Sequence, residues 1–222
     1  MIPSASSFSP GWPIAPDSAT NAAFSLSDAR KQARRREIRR LTEQVAAQLH
    51  ARMSATFRPP VEALVAEGLA RLHSAIQTYR SGRKIDDLTA VQLGLDLQIV
   101  RIRDEAWIAL DSSTTLFTDL ELWEDLSRIV DKAFLPPISS LVAFMAWRRN
   151  RPDIAHDAAL AALEIDPSYE LAKLVHTAVH TKVPSSKLAP LATTADLELD
   201  KPHPAWVEPL RQKVIFYTRS TG

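Results

Sequence analysis

Apolar positions recur along most of this chain at three- and four-residue intervals, and that period predicts helices. Ile38, Leu41, Val45, Leu49 and Met53 form one stripe, with Ser25 or Ser27 as the expected N-cap. The "RPP" step at 58–60 ends this element. A second stripe follows at Val61, Leu64, Val65, Leu72, Ile76 and Tyr79, and Gly82 stops it. Further helices are predicted over about 119–133, 137–149, 152–164 and 168–181, punctuated by proline pairs and DP steps.

Residues 86–110 carry two periods at once. In "LGLDLQIVRIR", Leu93, Leu95, Leu97 and Ile99 alternate as in a strand, whereas Leu88, Val91, Leu95 and Ile99 fit a helix that Asp86 would cap. A lone strand would need a partner, and only "KVIFYT" near the C-terminus offers one. The segment is therefore expected to be mostly helical, with helix or strand over 93–102 left open.

The stretch from Pro152 to Glu164 is alanine-rich where surface helices usually carry charge. Ala155, Ala159 and Ala162 share one face, Ile154, Ala158, Ala161 and Ile165 another, and His156, Asp157 and Glu164 leave only a narrow polar strip. Such a helix is expected to be covered on at least two sides, by 137–149 and 168–181, because small side chains let helix axes approach closely. The spacing of Ala155, Ala162 and Pro167 also resembles the small-residue and terminal-proline positions of a tetratricopeptide (TPR) repeat. A second copy is absent from the sequence, so one TPR-like hairpin within a compact bundle is favoured over a solenoid.

Two longer stretches, "GLDLQIVRIRDEAWIALD" and "LVAFMAWRRNRPDIAHDAALAALEIDPSYELAKLV", resemble the C-terminal half of the actinobacterial domain-of-unknown-function family numbered 4192, over about residues 25–185. In that family an R-x-RD step leads into a helix, and an AW-x-RG-x-G step leads to an alanine-rich helix ending in DP. Here Asn150 and Pro152 stand where the turn has glycines, and the family's strand-rich N-terminal half has no counterpart. The resemblance implies a minimal member and brings no established activity with it.

Composition narrows the classes. The 222 residues are 45% hydrophobic and 24% charged, enough for one or two ordinary domains. The longest uninterrupted apolar stretch, Leu141–Trp147, is far short of the roughly 20 residues of a membrane span, and no signal-peptide pattern precedes the helices. A cytoplasmic location is the resulting expectation. With no Cys there is no disulfide, thiolate nucleophile or Cys-type zinc site. Five glycines, at 11, 68, 82, 94 and 222, assemble neither a phosphate loop nor a dinucleotide fingerprint. Residues 1–26 hold one charged side chain, Asp17, among prolines and serines, and are expected to form an extended arm that could dock through Phe8 or Trp12.

Charge supplies the most functional-looking feature. From Arg30 to Arg40 seven basic residues and Glu37 give +6 against a whole-chain +1. On a helical wheel these cations surround the helix, and near its N-terminus they oppose the macrodipole at about 0.3–1 kcal/mol each. A phosphate backbone, an anionic lipid or an acidic protein surface would offset that, and residues 111–135, with six acidic and two basic side chains, are one such surface. A solvated or intramolecularly paired basic helix is the ordinary alternative.

Other candidates have ordinary roles. Asp104 is expected to cap the helix of "EAWIAL" with Arg103 as its ion-pair partner, rather than to act in catalysis. His176 and His180 lie one turn apart without a third spaced ligand, so no metal site is expected. Trp107, Trp123 and Trp147 sit on apolar faces and read as core.

The resulting expectation is an all-α compact helical bundle of about eight helices, with an arm over 1–26, a helical domain over 27–185 and a C-terminal extension over 186–222. Its expected function is non-enzymatic protein interaction through a helical groove near 137–181. Trp147, Arg148, Arg149, His156 and Trp206 are the expected partner contacts, and no cofactor is implied. The alternative is nucleic-acid binding through Lys31, Arg34, Arg35, Arg39 and Arg40, and a homo-oligomer is compatible with either.

Overall fold

Each apolar stripe lies on a helix in the computed structural model, which describes residues 18–55, 60–112, 116–187 and 201–221. In chain order the helices are α1 (Ser18–Ser54), α2 (Val61–Arg80), α3 (Asp87–Asp96), α4 (Val100–Ser112), α5 (Leu116–Ile129), α6 (Leu135–Arg148), α7 (Pro152–Ile165), α8 (Glu170–His180) and α9 (Glu208–Thr221). Short 3-10 turns at Lys132–Phe134, Ser185–Lys187 and Pro204–Trp206 complete the regular structure of the described residues. Among the described residues there is no strand, so the fold is all-α, and "KVIFYT" belongs to α9.

The chain divides into two compact units, residues 1–37 and 38–222. In the first, residues 18–37 are helical, and the described side chains from Ala29 to Glu37 are exposed. Ser25 and Ser27, the expected caps of α1, lie inside it instead, because the helix starts at Ser18, through the alanine-containing run "SATNAAF". The rest of the expected arm, including Phe8 and Trp12, lies outside the described residues.

In the second unit, α6 is the hub. Proline at its first positions loses no intrahelical hydrogen bond, and Pro136–Leu141 and Ala143–Trp147 are buried against α4, α5, α7 and α8. Trp123, Phe134 and Phe144 are the largest fully sealed side chains, each stabilising by about 2–3 kcal/mol through transfer from water. Trp107 meets Phe144 edge-on at 5.2 Å between ring centroids. From the C-terminal segment, Val207 and the α9 residues Leu210, Val214 and Tyr217 enter the same core, with Tyr217 donating to Asp131 at 3.1 Å.

Residues 86–112 resolve into two helices with a corner. Asp86 caps α3 by accepting from the Thr89 N–H at 2.7 Å, and the chain turns at Leu97–Ile99 before α4 begins. The strand-like alternation has a packing cause. Ala90, Val91, Leu93, Gly94, Leu95 and Asp96 are all buried, and between them only Gln92 is partly open, so little of a polar face shows in this half of α3. Gln98 fixes the corner: its Nε2 donates to the Gly94 carbonyl and to the Phe134 carbonyl, both at 2.9 Å. Asp104 does not cap α4 as expected. The helix begins four residues earlier, at Val100, with the Ile102 and Arg103 N–H groups donating to the Ile99 carbonyl, and Asp104 sits inside it, paired with Arg103 at 2.7 Å.

Two glycines let neighbours approach where a side chain would not fit. A Cβ on Gly94 would lie 2.7 Å from both methyls of Val130, and one on Gly68 would lie 2.1 Å from Ile102 Cδ1 and 3.3 Å from Asp96 Cγ.

Three helices terminate through one left-handed residue, with paired bonds from that residue and the next. At the end of α2, Gly82 (φ 74) donates to Tyr79 O and Arg83 to Thr78 O. Asn150 (φ 57) and Arg151 do the same to Trp147 O and Ala146 O after α6, and Lys182 (φ 54) and Val183 to Val179 O and Ala178 O after α8. Asparagine is among the side chains that tolerate the backbone conformation at 150 best.

Candidate functional site

Two clefts in the second unit differ in chemistry. The polar one lies among α1, α2 and α3, has a volume of about 220 Å³, and is lined by Val45, Gln48, Leu49, Arg52, Leu64, Glu67, Arg71, Gln92 and Asp96. At one side Arg52 donates to both Glu67 oxygens at 2.6 Å, a two-pronged pair that holds the Glu67 carboxyl below its ordinary range. Opposite, Arg71 Nε donates to Asp96 Oδ2 at 2.6 Å and Arg71 Nη1 to Gln92 Oε1 at 3.3 Å. Glu67 and Arg71 are one turn apart on α2, so one helix face supplies an anion and a cation to the same cleft. Asp96 is only 6% exposed, and burial pushes its carboxyl up to about 6 despite Arg71. Its Oδ1 and Arg71 Nη2 hydrogen-bond to no described residue.

The second cleft is apolar. Leu135, Ser139 and Val142 from α6 face Ile154, Asp157, Ala158 and Ala161 from α7, with Ser127 of α5 at one end, around about 420 Å³. Both helices thus present rows spaced i, i+4, i+7, the ridge pattern that receives a third helix. Coverage of α7 is less than its alanines led us to expect. Ala155, Ala159 and Ala162 are sealed against α6 and α8, but Ile154 is 41% and Leu160 37% exposed, and Ala161 is also exposed. The second face lies open because α6 and α8 both use the alanine face.

The expected partner residues do not form one cluster. Trp147 is buried and its Nε1–H donates to the Val183 carbonyl at 3.0 Å, while Arg148 donates to the Ser185 carbonyl at 2.9 Å. Both therefore hold residues 183–185 beside α6, around a separate cleft of about 370 Å³ that also includes Asn150 and Val179. Arg149 is half-buried at the end of α6, and Trp206 packs against the core from its 3-10 turn. His156 stacks on His176 at 5.3 Å between centroids, and His176 on His180 at 6.2 Å. Among the described residues no group of three His, Cys, Asp or Glu is arranged to hold a metal ion. In the first unit Lys31, Arg34 and Arg35 are exposed, and in the second Arg39 and Arg40 are exposed at the start of its portion of α1.

The R-x-RD residues are structural joints. Arg101 and Glu105 form a buried pair at 2.8 Å, with His73 3.5 Å from the other Glu105 oxygen. Arg103 lies 6.0 Å over the Tyr169 ring, and burial pushes the Tyr169 hydroxyl up to about 12.

Motif reading missed Arg52, Glu67, Arg71 and Asp96. One signal was available: Asp96 is the only charged residue between Ala90 and Val100, and an acid inside an otherwise apolar run needs a partner.

The chain belongs to the family described as Domain of unknown function (DUF4192), whose model matches residues 11–186. No curated protein and no solved structure shows significant similarity to the chain. No described helix is long and apolar enough to cross a membrane.

Proposed function

We propose that this member of the family is a non-enzymatic interaction module whose α6–α7 face binds a positively charged amphipathic helix of a partner protein. The observation that carries the reading is the open apolar cleft, floored by Leu135, Val142, Ala158 and Ala161. A helix with apolar residues at i, i+3, i+4 and i+7 matches its two ridges. Charge selects the sign of the partner: α5 carries four acidic residues and one basic, and α7 carries three acidic and neither Lys nor Arg. The TPR-like spacing of Ala155, Ala162 and Pro167 supports the same reading, because such helix pairs stack further helices on their open faces. Trp147 and Arg148 support it indirectly, by anchoring the chain that follows α8.

The test uses two labelled synthetic helices of about 15 residues with leucines on one face and either lysines or glutamates on the other. Fluorescence anisotropy should show the lysine peptide binding and the glutamate peptide failing to bind. Ala161→Arg should weaken binding by about tenfold or more, whereas Leu174→Arg, which adds the same charge on the exposed side of α8, should not. Equal losses in both variants, or no binding by the lysine peptide, would refute the reading.

A second reading, nucleic-acid binding, is favoured by the exposure of Lys31, Arg34, Arg35, Arg39 and Arg40 on α1. It requires binding to DNA or RNA that weakens steeply between two salt concentrations. Absence of binding at low salt eliminates it.

A further inference from the structure

The polar cleft has the chemistry of a ligand site. Asp96 is almost sealed from water, yet only one of its oxygens is used: Oδ2 takes Arg71 Nε, and Oδ1 accepts from no described residue. Oδ1 is not one of the fully sealed polar atoms without a partner, so a donor from outside can reach it. Arg71 is under-used in the complementary sense. A guanidinium has five N–H groups; Asp96 and Gln92 take one each, at Nε and Nη1, which leaves Nη2 without a described acceptor. Both residues line the cleft, so an anion and a cation border one small volume. The wall formed by Val45, Leu49 and Leu64 is apolar.

Size sets the ligand class. About 220 Å³ is below the roughly 300–1,000 Å³ of pockets for drug-sized molecules, and suits a molecule of single-amino-acid size. An anion alone would leave Asp96 Oδ1 unmet and add negative charge beside it and Glu67, while a cation alone would leave Arg71 Nη2 unmet. A molecule carrying an ammonium and a carboxylate on one carbon answers both. We propose that this cleft binds a small aliphatic zwitterion of the free α-amino-acid class, its ammonium donating to Asp96 Oδ1 and its carboxylate accepting from Arg71 Nη2. The aliphatic side chain lies along Leu49 and Leu64. This site is separate from the α6–α7 cleft and does not depend on how that cleft is used.

Calorimetry and ligand-observed NMR with the full chain test the assignment, with L-leucine as the probe beside its two halves: 3-methylbutylamine, which lacks the carboxylate, and 4-methylpentanoate, which lacks the amine. Leucine should bind saturably, and removing either charged group should weaken binding by about tenfold or more. In Asp96→Asn, leucine and 4-methylpentanoate should bind alike, since the ammonium has lost its carboxylate. The comparison of ligands in the unmodified protein stands even if that variant misfolds. No saturable binding of leucine up to about 10 mM would overturn the proposal, being weaker than about 3 kcal/mol of binding free energy. Half-molecules that bind as well as leucine would overturn it too, as would an Asp96→Asn variant that keeps the preference for leucine.

Discussion

Arg71 meets Asp96 at 2.6 Å, and burial nonetheless wins over pairing in setting the acidity of that carboxyl. A neighbouring guanidinium alone would hold a carboxyl below its ordinary value, but Asp96 is pushed up to about 6 because burial disfavours its charged form more than Arg71 favours it. The fold therefore carries a charge that opposes its own stability at neutral pH, in a cleft where polar partners are available to a ligand.

The pH dependence follows with a definite sign. The carboxyl is raised from an ordinary 3.8, so the folded chain holds its proton more tightly than the unfolded chain does. Its contribution is greatest below pH 4 and is lost as pH rises through the window from about 4 to about 6. Asp96→Asn removes the effect. Between pH 4.5 and 7.5 this variant should gain about 2 kcal/mol relative to the unmodified chain in urea unfolding. A difference that stays constant or moves the other way contradicts this.

Removing the cation should do the reverse. Arg71→Met leaves Asp96 buried without its described hydrogen-bonding partner, and should destabilise the chain by about 3 kcal/mol or more at pH 7.5. Most of that loss should disappear below pH 5, where the carboxyl carries a proton. The carbonyl resonance of Asp96, followed by NMR titration, should move to a higher midpoint in this variant.

Gly94 tests the packing of α3. Alanine favours a helix by about 1 kcal/mol over glycine, but its Cβ would lie 2.7 Å from both Val130 methyls. Branching at Cβ keeps Val130 from swinging aside. Gly94→Ala should destabilise by about 1–3 kcal/mol net, and adding Val130→Ala should recover part of the loss. Additive single effects in thermal unfolding would show that the two positions do not touch.

The left-handed helix ends give a stabilising expectation. Lys182→Gly should raise stability by about 1 kcal/mol, since a lysine side chain is strained at φ 54. Asn150→Gly should gain less, because asparagine tolerates φ 57 better. The reverse order of melting temperatures would point to side-chain contacts that outweigh backbone strain.

The one-sided helices were legible in the sequence. Val61, Leu64, Val65, Leu72, Ile76 and Tyr79 follow from spacing alone, and all are buried on α2, whose other face is wet. The α3–α4 corner was harder because from Ala90 to Asp96 only Gln92 is not buried, which leaves too little of a polar face to make a period of 3.6 visible. The polar cleft was invisible to motif reading because its charges come from three helices: Arg52 and Glu67 are 15 residues apart, and Arg71 and Asp96 are 25 apart. On α7 the composition showed two apolar faces, but only folding decides which one its neighbours use.

The amide of Gln98 has a consequence of its own. Both protons on one nitrogen point at carbonyl oxygens, one at the end of α3 and one just before α6, and glutamate differs from glutamine at that spot by a single atom group. Deamidation at this position would set a lone-pair-bearing oxygen against two others and turn two attractions into two repulsions. The chemical ageing of one side chain would thus register as a loosening of the junction between two segments 36 residues apart in the chain.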